Sequence, residues 1–246
     1  MIDLNGKKAL VTGGSRGIGA AIAIALAENG ADVALTFQSS ADRAKAVVNS
    51  IEAHGRRGVA IQADSADPDA IKRSVDEAVK ALGGLDILVN NAAIARYDTI
   101  ANINVSDIDA LLAVNVRGPI LATQAALAHL GAGSRVITIG SAGADRIVGA
   151  TGTVYFMTKS ALQSFTRGLA HELGPRDITA NLIQPGSTDT EMNPADGEYS
   201  EFQRNLIPLG RYGTPADIAA TVAFLASPAA RQINGTIVNV DGGMLA

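Results

Sequence analysis

The fold is indicated first by residues 8–19, which read KALVTGGSRGIG. The apolar run Lys8–Thr12 predicts a buried strand, and the glycines after it predict a tight turn. A helical pattern rich in Ala and Ile then extends from about Arg16 to Asn29. Free backbone N–H groups at the start of such a helix are suited to a diphosphate. The spacing is G-x-x-x-G-x-G and not G-x-G-x-x-G, so a turn that only joins strand to helix stays an alternative.

Strand and helix patterns alternate along the rest of the chain, which predicts a parallel sheet covered on both faces. A long helical pattern from Ser106 to Leu130 is expected to bend at Gly118-Pro119, and Asp67 is expected to cap a helix that starts at Pro68. We therefore predict an α/β fold of the Rossmann type, a single domain over residues 1–246 with a doubly wound, seven-stranded parallel sheet flanked by helices. A small substrate-loop region is expected at about residues 187–212. The predicted strands are residues 8–12, 32–37, 59–62, 85–89, 135–139, 178–183 and 236–240.

Composition argues against several classes of protein. The 246 residues are 47% hydrophobic and 18% charged, which favours a globular chain with a filled core over a disordered one. A net charge of −4 with no basic run gives no support for nucleic-acid binding. There is no cysteine, and the three histidines show no metal-ligand spacing, so no metal site is predicted. No signal-like start and no run of about 18 apolar residues is found, so we expect a cytoplasmic protein without membrane association.

One helix-length stretch carries a candidate for proton transfer. Tyr155 and Lys159 are four residues apart, so a helix would present a phenol and an ammonium on one face. A cation within about 4–6 Å favours the phenolate and lowers the phenol pKa from its usual value of about 10. Such a tyrosine can exchange a proton near neutral pH, which interconversion of a carbonyl and an alcohol requires. On this spacing alone, an ordinary exposed helix pair is an equally good interpretation.

Several separate motifs together resemble the short-chain dehydrogenase/reductase family, over essentially the whole chain and in the family's order. Residues 12–19 are similar to the family's cofactor turn, and Asn90–Ala93 is similar to its NNAG element, with Ala93 in place of the usual glycine. The resemblance implies an NAD(P)H-dependent oxidoreductase that reduces a ketone or 3-oxoacyl carbonyl of a small molecule to a secondary alcohol, as the 3-oxoacyl-carrier-protein reductases do. Pro185-Gly186 matches the turn after the sixth strand, and the catalytic tetrad is matched by Asn115, Ser141, Tyr155 and Lys159.

The resemblance assigns a role to each member of the tetrad. Tyr155 would act as general acid in carbonyl reduction, and Lys159 would lower its pKa and hold the nicotinamide ribose hydroxyls. Ser141 would hydrogen-bond the substrate carbonyl and stabilise charge that develops on its oxygen. Asn115 would hold a water that links Lys159 to solvent. Without the resemblance, Asn115 would be interpreted as a buried amide that satisfies local backbone, and Ser141 as a loop serine.

The end of the second strand favours NADP(H) over NAD(H). NAD-binding sites place a carboxylate there for the ribose 2′-hydroxyl, whereas this chain has Phe37 and Gln38. Ser39-Ser40 can donate to phosphate oxygens, and Arg16 can supply a cation to a 2′-phosphate. Arg43 is a second candidate for that role, or a solvated arginine at the start of a helix. We therefore predict NADP(H), with NAD(H) as the alternative.

Further cofactor contacts are implied by the resemblance. Asp64 and Ser65 resemble the pair that borders adenine, although an aspartate that caps a turn is a common alternative. Thr188 and Thr190 are candidate contacts to the nicotinamide carboxamide or to phosphate. The full predicted set is Gly13, Ser15, Arg16, Gly17, Ile18, Gly19, Gln38, Ser39, Asp64, Ser65, Asn91, Ala92, Ala93, Tyr155, Lys159, Pro185, Gly186, Thr188 and Thr190.

The substrate side is less constrained by sequence. The segment from Ser187 to about Tyr199 has a composition typical of a mobile lid over a site. Asp145-Arg146 is expected close to the reacting centre, where it would bind an anionic or polar substrate or form an internal ion pair. The sequence leaves both interpretations open.

A regulatory nucleotide-binding protein on the same fold is the alternative function. The tetrad favours an enzyme, because a pure sensor has no need of it. Family members commonly form dimers or tetramers, so a homotetramer or homodimer is expected, through helices near residues 106–130 and 153–173. The segments that resemble a branch of the family linked to cyclic-di-GMP binding and biofilm dispersal are Ile139–Ser141, Asp145–Arg146, Gln184–Gly186, Asp189–Thr190 and Asn193–Ala195.

Overall fold

Seven parallel strands form one sheet in the order β3-β2-β1-β4-β5-β6-β7 in the computed structural model, which describes residues 2–246. The chain starts in the middle of the sheet, winds out to β3, returns to β4 and winds out again to β7. The predicted doubly wound, seven-stranded Rossmann-type sheet is therefore confirmed. Strand ends differ from the predicted ones by no more than two residues. The strands are β1 Lys8–Val11, β2 Asp32–Phe37, β3 Gly58–Gln62, β4 Ile87–Asn90, β5 Arg135–Ile139, β6 Thr179–Pro185 and β7 Ile237–Val240.

Helices cover both faces of the sheet and create two buried apolar cores. Side chains of α1, α2 and α8 pack on one face, and side chains of α3, α5 and α6 pack on the other. Alternate residues of a strand serve the two cores, since Ala9 and Val11 of β1 belong to the first and Leu10 to the second. The helices are α1 Gly17–Glu28, α2 Ala41–Ala53, α3 Pro68–Leu82, α4 Val105–Leu112, α5 Gly118–Ala126, α6 Thr153–Leu173, α7 Ser200–Asn205 and α8 Pro215–Ala226.

The start of α3 follows its predicted capping pattern. The Asp67 carboxylate accepts a 2.9 Å hydrogen bond from the backbone N–H of Asp69, and Pro68 is the first helical residue. Proline is favoured there because the first N–H groups of a helix have no intrahelical partner. The helix ends at Gly83, which adopts the left-handed conformation that glycine tolerates best.

The predicted bend at Gly118-Pro119 takes the form of a widened turn just before it. A π-helical turn, Ala113–Arg117, separates α4 from α5, and the N–H of Gly118 bonds to the carbonyl of Ala113, five residues back. Proline provides the physical reason, because Pro119 has no N–H for the carbonyl of Asn115 and its ring would clash there in a regular helix. Single π-helical turns occur frequently at functional sites.

No helix within residues 2–246 combines the length and apolarity that a bilayer crossing needs. Over the same residues, His, Asp and Glu side chains do not gather in groups of three or more that would hold a metal ion.

Candidate active site

The glycine turn after β1 is fixed at the switch point of the sheet, between the carboxyl ends of β2 and β4. The N–H of Gly13 donates to the Thr36 hydroxyl at 3.0 Å, and the N–H of Gly14 donates to the Thr36 carbonyl at 2.9 Å. On the other side, the Asn91 amide donates to the carbonyls of Thr12 and Gly13 at 2.9 and 3.0 Å. Strand ends that diverge at this point leave the crevice in which Rossmann-type sheets bind their ligands.

The glycines of this turn are required by space as well as by conformation. A Cβ on Gly19 would lie 2.3 Å from the carbonyl oxygen of Gly13, and a Cβ on Gly13 would lie 2.9 Å from the Cα of Ala92. Helix α1 begins directly after the turn with no side-chain cap, so its first N–H groups are open to an external acceptor. The residues present therefore fit the diphosphate of a dinucleotide.

The segment after β4 is hydrogen-bonded to the glycine turn. The Asn91 amide is committed to the backbone of the glycine turn, and the backbone N–H groups of Asn91 and Ala92 both donate to the Thr12 hydroxyl at 3.0 Å. Asn91 therefore acts as a brace for the turn. Contacts from Asn91, Ala92 and Ala93 to a cofactor stay a prediction.

The end of β2 and the segment after β3 carry residues that are predicted to contact the adenosine of the coenzyme. Gln38 and Ser39 are exposed, so both are accessible to a ligand. Ser65 lines a small cavity with Thr36 and Gly118. The Asp64 carboxylate accepts a 2.8 Å hydrogen bond from the N–H of Ala66, so it caps its own turn, as the sequence allowed.

The two arginines proposed for a 2′-phosphate converge on one carboxylate that the sequence did not single out. Glu191, in the loop after β6, accepts a 2.9 Å hydrogen bond from Arg16 Nη1 and a second hydrogen bond from Arg43 Nη1. All three side chains are half-exposed, and the two guanidinium groups hold the pKa of Glu191 below its usual value. Arg16 and Arg43 are thus brought together, and the cofactor turn is tied to the loop that follows β6.

Ser141 lies beyond the carboxyl end of β5 and is held against the helix that carries Tyr155. Its hydroxyl oxygen accepts a 3.1 Å hydrogen bond from the N–H of Gly143, which leaves the O–H free to donate. The Phe156 ring occupies the space where Gly143 would carry a side chain, since an added Cβ would lie 2.0 Å from it. The Ser160 hydroxyl also donates to the carbonyl of Ala144 at 2.9 Å. These contacts fix the Ser141 segment on α6.

Lys159 is almost completely buried beneath this segment. Its exposed fraction is 3%, and its Nζ donates a 3.1 Å hydrogen bond to the carbonyl of Ile139, the last residue of β5. Burial disfavours the ammonium form and lowers the pKa of Lys159 from 10.5 to about 8. An ammonium has three donors, so two remain for other partners such as ribose hydroxyls.

The pKa of Tyr155 is shifted in the opposite direction from the one predicted. Its ring is 8% exposed and packs edge-on against Tyr97 and Phe156, with ring centroids 5.4 and 5.1 Å apart. Burial raises the pKa of the Tyr155 phenol well above 10, and Tyr97 adds to the increase. The prediction depended on the charge of Lys159, whereas the shift is caused by burial of the phenol and by Tyr97.

The Asn115 side chain acts as a brace, which is the interpretation that sequence alone would have favoured. Its Oδ1 accepts from the N–H of Ile94 at 2.9 Å, and its Nδ2 donates to the Ile94 carbonyl at 2.9 Å and to Thr158 Oγ1 at 3.1 Å. Both amide N–H groups are therefore used. A water relay at Asn115 stays a prediction. Because both amide N–H groups are used, the water would have to donate its hydrogen bonds to oxygen atoms of this π-helical turn.

The segment after β6 completes the crevice. Gly186 is required there because an added Cβ would lie 2.7 Å from the Cα of Asp241. Thr188 is buried and donates to the Gly186 carbonyl at 3.1 Å. Thr190 approaches the glycine turn, since its Cγ2 is 3.6 Å from a Cβ built on Gly17. The structure thus brings the predicted contacts of β6 and of the glycine turn to the same crevice.

Asp145 and Arg146 do not form the internal ion pair that the sequence allowed. The Asp145 carboxylate accepts from Gln163 at 2.6 Å and from the buried Gln184 at 2.8 Å, and Arg146 donates to the carbonyl of Met244 at 3.0 Å. Both side chains therefore have partners elsewhere, which weakens the alternative that they bind an anionic substrate. Gln163, Tyr97 and Glu191 were missed because no local pattern marks them, and Gln184 was noted only within a segment that resembles the cyclic-di-GMP branch.

Comparison with known proteins places this crevice among oxidoreductases. A family model described as enoyl-(acyl carrier protein) reductase matches residues 13–245. A solved short-chain dehydrogenase from Burkholderia cenocepacia, in complex with NADP, is 56% identical, with 99% of each chain covered and a TM-score of 0.98. Versicolorin reductase from Emericella nidulans is 39% identical over 98% of this chain and 96% of its own. A cyclic-di-GMP-binding biofilm dispersal mediator protein from Escherichia coli is 40% identical over 96% of each chain.

Proposed function

The chain belongs to the short-chain dehydrogenase/reductase family of oxidoreductases, and on that basis we propose that it reduces a ketone or 3-oxoacyl carbonyl to a secondary alcohol with NADPH. The observation that carries the proposal is the bond from Lys159 to the Ile139 carbonyl, which joins the helix of Tyr155 to the strand that leads into Ser141. NADPH, when bound, would supply the hydride that the carbonyl carbon receives. The protein's own residues would bind and orient the substrate and supply the proton.

Tyr155 would donate the proton to the carbonyl oxygen. Its raised pKa keeps the phenol protonated at neutral pH, which is the form that a general acid needs. The free O–H of Ser141 would donate to the same oxygen and stabilise its developing charge. With a pKa of about 8, Lys159 is about nine-tenths protonated at pH 7, so its charge would stabilise the phenolate that remains after proton transfer.

NADPH is favoured over NADH by the charges around the adenosine side of the crevice. No acidic residue follows β2 directly, while Arg16 and Arg43 lie side by side at the rim. A guanidinium group binds phosphate oxygens strongly. The NADP bound by the Burkholderia cenocepacia relative is further support.

The proposed substrate is a ketone with a substantial apolar part. The Tyr97 ring packs on Tyr155 yet is 56% exposed, so it offers an apolar surface beside the proposed proton donor. The two arginines of this region are already engaged, because Arg146 bonds to Met244 and Arg96 pairs with Asp107. An apolar ketone therefore fits the described site better than a small anionic one does.

Location and assembly are part of the same proposal. We place the enzyme in the cytoplasm as a homotetramer or homodimer. Exposed apolar side chains on α4, α5 and α6, namely Val105, Leu112, Ile120 and Met157, are available for contact with a second copy. Light scattering would test the assembly, and a monomer at assay concentration would contradict it.

The cyclic-di-GMP alternative is supported by the Escherichia coli relative and by the segments that resemble that branch. Nucleotide binding alone does not require a buried lysine and tyrosine beside the carboxyl end of β5. This alternative therefore leaves Lys159 and Tyr155 unexplained. Family membership also favours the oxidoreductase.

Turnover assays would test the proposal against its alternative. The purified protein would be incubated with NADPH or NADH and a panel of aromatic ketones, aliphatic ketones and 3-oxoacyl thioesters, while coenzyme oxidation is followed by absorbance. We expect turnover with at least one apolar ketone and a higher kcat/KM for NADPH than for NADH. Cyclic-di-GMP binding would be measured on the same preparation. Tight cyclic-di-GMP binding without turnover of any carbonyl would favour the regulatory function.

A further inference from the structure

The carboxylate of Glu191 bonds to both Arg16 and Arg43, the two arginines that the proposed function assigns to the 2′-phosphate of the coenzyme. It accepts from Arg16 Nη1 through Oε2 at 2.9 Å and from Arg43 Nη1 through Oε1. Each of its oxygens therefore serves a different guanidinium group. A 2′-phosphate presents the same chemistry to the same pair of donors, namely anionic oxygens that accept charge-assisted hydrogen bonds.

Glu191 reaches these arginines from a loop that is held in place by other contacts. It follows Thr190, whose backbone pairs with Asn193 in a tight turn. The side-chain amides of Asn193 and Gln203 bond to each other at 2.9 and 3.0 Å, which fixes this turn to α7. Thr190 itself lies over Gly17 of the cofactor turn. The backbone beside Glu191 is thus held by the contacts of its own loop, and its side chain reaches the two arginines from there.

In many NAD-binding sites a carboxylate at the end of β2 selects against a 2′-phosphate, and this chain has no charged residue there. No carboxylate occurs in residues 37–40, at the end of β2. The fold instead brings a carboxylate to Arg16 and Arg43 from a position 175 and 148 residues away in the chain. A negative charge is therefore present beside the two arginines proposed for the 2′-phosphate, and it comes from the loop after β6.

We propose that Glu191 determines coenzyme affinity and selectivity by competing with the 2′-phosphate of NADPH for Arg16 and Arg43. This inference rests on the proposed function, in which those arginines bind the phosphate. NADPH must displace the Glu191 carboxylate in order to bind, whereas NADH has no phosphate that requires the arginines.

The competing contact is suited to displacement. All three side chains are more than half exposed, and exposed ion pairs contribute little and are screened by salt. Two hydrogen bonds from arginine to a carboxylate can thus be exchanged for two to a phosphate that carries more charge. Glu191 then moderates NADPH binding without preventing it.

The test is the Glu191→Gln variant, which keeps the shape of the side chain and removes its charge. We expect NADPH to bind about three- to tenfold more tightly, because two exposed ion pairs no longer compete. The affinity for NADH should change by less than about twofold, since it has no group for the freed arginines. Adenosine 2′,5′-bisphosphate and AMP would also be titrated. These two probes differ in the 2′-phosphate, as NADPH and NADH do, but they lack the nicotinamide.

Glu198→Gln is the matched control. Glu198 is an exposed carboxylate in the same loop that makes no hydrogen bond or ion pair within residues 2–246, so the variant makes the same charge change away from the arginines. It should leave both coenzyme affinities as they are. The gain in Glu191→Gln should shrink at high salt and disappear when Arg16 and Arg43 are both replaced by Ala.

The outcomes separate this inference from the function on which it rests. If Glu191→Gln weakens NADPH, weakens both coenzymes equally or changes neither, the competition is refuted, and equal weakening would identify Glu191 as a latch over the bound coenzyme. If the Arg16→Ala, Arg43→Ala double variant keeps the full preference for NADPH, the assignment of these arginines to the phosphate fails, and with it the proposed coenzyme site.

Discussion

The ammonium of Lys159 donates a 3.1 Å hydrogen bond to the carbonyl oxygen of Ile139, the last residue of β5. Lys159 is one helical turn after Tyr155, and Ile139 is two residues before Ser141. A single bond therefore joins the helix that carries the proposed proton donor to the strand that leads into the proposed carbonyl-binding serine. The buried Lys159 therefore holds α6 against the end of β5.

Replacement of Tyr155 by Phe should abolish carbonyl reduction while the fold persists. The phenol is the only proton donor proposed for the carbonyl oxygen, and loss of a general acid costs about 10²–10⁴-fold in rate. The measurement is kcat for NADPH-dependent reduction of the best ketone in the panel. Tyr212→Phe is the control, because Tyr212 is equally buried, at 8% exposure, and should keep most of the activity. Comparable activity in the Tyr155→Phe enzyme would remove the proposed mechanism.

The buried ammonium of Lys159 should make stability depend on pH in a defined window. Its pKa is about 8 in the folded chain and 10.5 when exposed, so the unfolded chain binds more protons between these values. The free energy of unfolding should therefore rise with pH from about 8 to 10.5, by about 3 kcal/mol for this group. Urea unfolding of the wild type and of Lys159→Met, compared at pH 7 and pH 10, isolates the effect. A stability difference between the two proteins that does not change with pH would contradict it.

Substitution of Gly19 by Ala should damage the cofactor turn. The added methyl group would lie 2.3 Å from the Gly13 carbonyl and 2.4 Å from the Asn91 amide, and neither can move without breaking the brace of the turn. We expect a loss of about 1–3 kcal/mol in the free energy of unfolding. NADPH affinity should also fall, since the turn would be displaced. Gly131→Ala is the control, because a Cβ there has nothing within 4 Å and both properties should be preserved.

Replacement of Asn115 by Ala should reduce stability as well as activity. The partly buried N–H and carbonyl of Ile94 would both lose their partner, and a polar group that is left unsatisfied away from water costs about 1–3 kcal/mol. Thermal unfolding should therefore shift down, whereas replacement of the exposed Gln124 by Ala in α5 should leave it nearly unchanged. A variant with normal stability and greatly reduced turnover would instead support a relay that acts in proton transfer.

Much of the fold could be predicted from the sequence, because it depends on local patterns. The alternation of apolar strands with helical segments predicted the seven parallel strands, and Asp67-Pro68 predicted the start of α3 within one residue. The bend near Pro119 was also expected, since proline removes a donor wherever it occurs. Its form was not expected, because a proline indicates where a helical bond is lost but not that the N–H of Gly118 will bond to the carbonyl of Ala113, five residues back.

For the site, the sequence predicted which functional residues are present but not which partners their side chains bond to. Tyr155, Lys159, Ser141 and the glycine turn are marked by motifs, and the fold brings them to the carboxyl edge of the sheet. The partners of Asn91, Asn115 and Asp145 were not predictable, because each amide or carboxylate bonds to a segment that is distant in sequence. Those contacts make Asn91 a brace of the glycine turn and identify Ile94 as the partner of Asn115, which residue types alone do not reveal.

By itself the sequence determined the alternation of strands and helices, the glycine turn and the candidates for the reacting groups, since periodicity, glycine and functional groups are properties of the chain. Only the tertiary structure decided the direction in which the pKa of Tyr155 is shifted, because desolvation depends on what surrounds a side chain and not on its neighbour one turn away. It also decided that Glu191 meets Arg16 and Arg43, since charges 175 and 148 residues apart interact only when folding brings them into contact.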